Sequence, residues 1–153
     1  MHRLSFAVAS LAVFGSLAQA GNLYIVNLCA TPLYQRIDYP GGVGAVTELN
    51  TFPDPAVVPL VGQGIAIKYS TRPDMAGPLG FSFSSVAGTI WYDLNTVDGN
   101  PWADTHVDLS NSHGACPAVT CPGQNCMTNG TGPGVEACPA SNDLDLTFCG
   151  HAK

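Results

Sequence analysis

Ile90–Trp102 reads IWYDLNTVDGNPW and alternates as a strand does: Ile90, Tyr92 and Leu94 fall on one face, Trp91, Asp93 and Asn95 on the other. The first face suits a core. The second carries a carboxylate beside an aromatic ring. Five residues after Asp93 a further carboxylate, Asp98, stands in an Asp-Gly turn that folds the chain back toward the strand end. The stretch therefore predicts a β layer with two acids, Asp93 and Asp98, near one rim.

The same texture extends on both sides. Toward the N-terminus, Leu79–Ser85 alternates Leu79, Phe81, Phe83 against Gly80, Ser82, Ser84, and Gly64–Ser70, Ala56–Leu60 and Val46–Phe52 are short β-like segments separated by Gly and Pro turns. Leu33–Tyr39 and Asn22–Leu28 read as strands joined across Pro32, and we expect them to form a hairpin; Pro40-Gly41-Gly42 then breaks the pattern. Beyond Trp102, Thr105–Leu109 and Leu144–Phe148 have strand texture. Between them residues 110–141 hold four cysteines, several Gly and Pro, and no period of either kind, which predicts a disulfide-stapled loop. No segment after Ala20 holds a helical period, so the fold class expected is all-β, a sandwich by its rhythm of strands and turns.

Composition narrows the compartment and the partners. His2-Arg3, the apolar run Leu4–Leu17 and Ala18-Gln19-Ala20 fit a secretory signal over 1–20, too short for the roughly 20 apolar residues of a membrane span. Residues 21–153 are then one domain. Arg36, Lys68, Arg72 and Lys153 face eleven Asp and Glu there. So acidic a chain lacks the clustered cations that nucleic acid or an anionic membrane surface requires. Neutral polar ligands such as carbohydrate suit it. Six cysteines behind a secretory signal read as three disulfides, although spacing does not choose their pairing. Asn129-Gly130-Thr131 is an N-glycosylation sequon. No cofactor is expected, and His106, His113 and His151 lack a metal-ligand pattern.

The run Tyr92-Asp93-Leu94-Asn95-Thr96-Val97-Asp98-Gly99 resembles the Tyr-Asp-Val/Leu-Ser-x-Val-Asp-Gly run of the thaumatin-like family. The likeness is greatest to its short fungal branch, the Blastomyces yeast-phase-specific, antigenic thaumatin-like proteins. VNLC at Val26–Cys29, LYQ at Leu33–Gln35 and LTFC at Leu146–Cys149 are further anchors. The resemblance implies a thaumatin-like sandwich with its first strand tied to its last through Cys29 and Cys149. Cys121–Cys126 and Cys116–Cys138 complete our assignment.

Plant-type members of that family, the resemblance further implies, carry an acidic cleft of one Arg, one Glu and three Asp, associated with β-1,3-glucan binding and sometimes weak glucanase activity. Asp93 and Asp98 match two of the Asp positions with the same spacing, and Arg72, in IAIKYSTRP, is a looser match to the Arg. The Glu position falls on Gly80, before Phe81, and the third Asp has no counterpart that we can place. A glycosidase needs two carboxyl groups flanking the scissile bond, about 5 to 5.5 Å apart or about 6.5 to 9.5 Å apart according to mechanism. The plainer role is that Asp98 caps its turn and Asp93 satisfies nearby donors. Trp91, if outward, offers a face on which a pyranose ring stacks.

The expectation is thus a secreted, non-enzymatic, extracellular or cell-wall-associated protein with an effector or antigen role. It would touch β-1,3-glucan or another wall polysaccharide through Asp93, Asp98, Arg72 and Trp91. The alternatives are a weak endo-β-1,3-glucanase and a secreted binder or inhibitor of a host protein.

Overall fold

In the computed structural model the described residues are 20–51, 54–112, 114–128 and 134–150. The expected leader, apart from Ala20, and the Asn129 sequon lie outside them.

Alternation along each segment becomes two layers. One sheet contains β1 (Asn22–Asn27), β4 (Ala56–Pro59), β8 (Val107–Ser110), β9 (Val119–Cys121), β10 (Met127–Thr128) and β12 (Leu144–Phe148), in the order β10-β9-β8-β12-β1-β4. The other contains β2 (Leu33–Tyr39), β3 (Gly42–Leu49), β5 (Ile65–Ser70), β6 (Leu79–Val86), β7 (Thr89–Asn95) and β11 (Glu136–Pro139), in the order β11-β7-β6-β5-β2-β3. The described residues hold no helix. Below, the first is sheet A and the second sheet B.

The inward faces are those the period marks. Leu23, Ile25, Leu146 and Phe148 of sheet A and Ile67, Phe81 and Leu79 of sheet B are fully buried in one apolar cluster. Rings join the layers: Phe148 of β12 lies 5.2 Å from Tyr69 of β5 and 4.4 Å from Trp102, centroid to centroid. Such tilted contacts suit the ring quadrupoles.

The chain ends meet inside sheet A, where β1 and β12 run parallel from Leu23↔Leu144 to Asn27↔Phe148. The Cys29–Cys149 disulfide closes the pair just beyond, with Cα atoms 5.2 Å apart. Cys116–Cys138 links the segment after β8 to β11, and Cys121–Cys126 closes the β9–β10 hairpin, so all three assigned pairs are present.

The expected hairpin of the first two strands is not formed. β1 belongs to sheet A and β2 to sheet B, so the chain crosses between layers at residues 28–32. The partner of β2 is β3, and the supposed breaker Pro40-Gly41 is the turn between them, Gly41 taking φ +91°. β3 accordingly starts at Gly42, four residues before the predicted Val46. Within 110–141 the chain forms three short strands, β9 and β10 at one end of sheet A and β11 at the edge of sheet B, with a disulfide at β9 and another at β11.

Burial also sets an alkaline limit. The fully buried Tyr69 hydroxyl is raised well above the usual tyrosine range by desolvation, and Tyr92 is raised by burial and by the charge of Glu136. Both keep their protons in the fold when the unfolded chain has lost them. Stability is therefore complete below about pH 10 and falls as pH rises past it. Guanidinium midpoints measured from neutral to strongly alkaline pH should show that fall, reduced but not abolished in Tyr69→Phe because Tyr92 still contributes.

Candidate functional site

β7 delivers its outward residues as the period requires. Tyr92 is buried, its hydroxyl donating to the Pro117 carbonyl (2.5 Å), whereas Trp91 next to it is 50% exposed. Pairing with β6 sets Trp91 opposite Ser84 and Asp93 opposite Ser82, and β5 continues the second row with Ala66. Ala66, Ser82, Ser84, Trp91, Asp93 and Val135 line a shallow groove of about 350 Å³ on the outer face of sheet B.

The next row decides the chemistry. It runs Asn95, Gly80, Lys68, Arg36 across β7, β6, β5 and β2. A Cβ on Gly80 would stand 3.2 Å from Lys68 Nζ and 3.0 Å from Asn95 Oδ1, so the glycine makes room for the lysine to cross β6. Lys68 Nζ then donates to Asp98 Oδ2 at 2.6 Å, with only 16% of its side chain exposed. Asp93 accepts from Asn95 Nδ2 at 2.9 Å. The position matched to the family's Glu is a glycine, and the space beside it is taken by the Lys68 ammonium.

Arg72 lies apart from this row. Its guanidinium grips Asp74 through two hydrogen bonds of 3.1 and 2.6 Å within an exposed loop and pairs with neither Asp93 nor Asp98. That bond holds the Asp74 carboxyl below its usual range. The structure therefore sets Trp91 and Asp93 in one groove, links Asp98 to the adjacent row through Lys68, and leaves Arg72 in its own loop. Lys68 was missed because its approach depends on the β5–β6 register. Only the Gly80 of LGFSFSS, small where an outward side chain was due, signalled a neighbour's approach.

The arrangement offers an exposed ring face, a carboxylate and two serines side by side in one groove. Glycoside cleavage requires one carboxyl as acid and a second as base or nucleophile, and here a lysine bridges to one of the two candidates.

Comparison with known proteins agrees with the fold. The family model described as Blastomyces yeast-phase-specific protein matches residues 10–150. The chain belongs to that family. This Blastomyces yeast-phase-specific family member is 33% identical over 94 residues to an antigenic thaumatin-like protein of Arthroderma benhamiae, covering 58% of this chain and 48% of that one. It thus spans about half the length of that relative. Among solved structures, the protein elicitor MoHrip2 from Magnaporthe oryzae matches with a TM-score of 0.66 at 22% identity, over 86% of this chain and 100% of that one. The thaumatin-like xylanase inhibitor TLXI matches with 0.57 at 18% identity, over 84% and 99%. The fold of the family member is thaumatin-like.

Proposed function

We propose that this protein is a secreted, non-enzymatic fungal thaumatin-like protein, extracellular or cell-wall-associated, that holds a neutral wall polysaccharide of the β-1,3-glucan kind against the outer face of sheet B. Trp91 supplies the stacking surface and Asp93, with Ser82 and Ser84 across the strand, the hydrogen bonds to ring hydroxyls. The observation that carries the reading is Trp91, half exposed, sharing one groove with Asp93, Ser82 and Ser84, while the Lys68–Asp98 ion pair over Gly80 disfavours a two-carboxylate hydrolase. Asp98 and Arg72, each ion-paired already, lie outside the contact. An effector or antigen role, and the alternative of a binder or inhibitor of a host protein, draw support from relatives of the same fold that are an elicitor and a xylanase inhibitor.

Co-sedimentation with insoluble β-1,3-glucan tests the contact. Trp91→Ala combined with Asp93→Ala should weaken retention at least tenfold, and Asp98→Asn should leave it near the wild-type level. Equal retention of wild type and double variant removes the groove from consideration.

A further inference from the structure

The larger open groove lies on the opposite side of the molecule, on the outer face of sheet A, and has a volume of about 800 Å³. Strand register lays one row across this face, Val26 of β1, Thr147 of β12, Asp108 of β8, Thr120 of β9 and Met127 of β10, and the last four line the groove. At a strand spacing of about 4.8 Å the row spans roughly 19 Å. His106 lies two residues before Asp108 and lines the same groove, and Leu28, 51% exposed, and Pro122 form apolar walls.

Two observations select the occupant. Asp108 has no hydrogen bond or ion pair to a described residue, and neither does the hydroxyl of Thr120 or Thr147. The two acids on the sheet B side differ, Asp93 in its groove being held by Asn95 and Asp98 beyond it by Lys68. Charge is the second observation. The lysines and arginines among the described residues, Arg36, Lys68 and Arg72, belong to sheet B or the loop after β5, and each is paired with an aspartate. Sheet A presents Asp108 and Asp145 and no Lys or Arg. Among the described residues an anionic ligand finds no Lys or Arg there, whereas a cation on an aliphatic stem finds a carboxylate set between hydroxyls, with apolar walls along which the stem packs.

We propose that this groove docks an arginine-bearing extended segment of a partner protein. The guanidinium fork lies on Asp108 and donates its outer N–H groups to Thr120 and Thr147, while the flanking residues of the segment pack on Leu28 and Met127. A guanidinium fits better than an ammonium because its planar donors reach a carboxylate and both neighbouring hydroxyls at once. Met127 adapts to flanking residues of different shape. The site is independent of the glucan contact, which lies on the other outer face.

Amide NMR of the disulfide-intact protein, titrated with acetyl-Ala-Val-Arg-Val-Ala-amide and with the same peptide carrying neutral citrulline, tests the proposal. The arginine peptide should shift residues of β8, β9 and β12. Citrulline should weaken affinity at least tenfold, as should Asp108→Asn, whose spectrum should otherwise remain that of the folded protein. Thr120→Val, which keeps the charge, should show a smaller loss of about threefold, and Asp93→Asn none. Equal binding of the two peptides, binding unchanged in Asp108→Asn, shifts gathered around Trp91, or no shift at millimolar arginine peptide would each overturn it.

Discussion

Replacing Cys29 and Cys149 together by serine lowers the free energy of unfolding by about 5 kcal/mol in the chain-entropy account of cross-links. The bridge spans 120 residues of sequence, so its removal releases nearly the whole domain to the unfolded ensemble. Cys116–Cys138 spans 22 and Cys121–Cys126 spans 5, for which the same account gives about 3.4 and about 2 kcal/mol. Equilibrium guanidinium unfolding of the three double-serine variants should rank them in that order. Were the Cys121–Cys126 variant the least stable of the three, the disulfides would act by holding local loop geometry, and the role given to the β1–β12 junction would fall.

Phe148→Ala is the second large effect. The ring is fully buried on β12, at the centre of sheet A, and touches both Tyr69 and Trp102. Truncation should cost about 3 to 5 kcal/mol, because the removed area is lost to the core and strands on both sides keep the cavity from collapsing. Trp91→Ala should change stability by less than about 0.5 kcal/mol, since half of that side chain already meets solvent. Thermal melts of the two variants separate a core aromatic from a surface one. A comparable loss in both would mean that Trp91 belongs to the packing and is not free to meet a ligand.

The contrast also marks what the sequence discloses. Period two placed Tyr92 inward and Trp91 outward correctly, because a half-buried strand leaves no other consistent solution. Leu33–Tyr39 and Leu144–Phe148 were legible to the residue for the same reason. Sheet membership was not legible. The period of β1 and β2 is equally satisfied by a hairpin and by a crossover between layers, and the parallel partner that selects the crossover, β12, lies 120 residues away at the disulfide. The candidate site divides along the same line. Asp93 beside Trp91 follows from local alternation, whereas the approach of Lys68 to Asp98 needs the pairing of β5 with β6, of which Gly80 is the one local sign and does not name the neighbour. The sheet A groove stayed hidden for a similar reason: Thr147, Asp108 and Thr120 come from three separate strands and meet only once the sheet is ordered.

The claim on which the functional reading stands is that the outer face of sheet B holds a glucan chain without cutting it, its second carboxylate being engaged by Lys68. Reducing-end release from soluble β-1,3-glucan at high protein concentration measures this directly. The account predicts a time course that stays flat while the polysaccharide is bound. A steady rise that disappears in both Asp93→Asn and Asp98→Asn would contradict it.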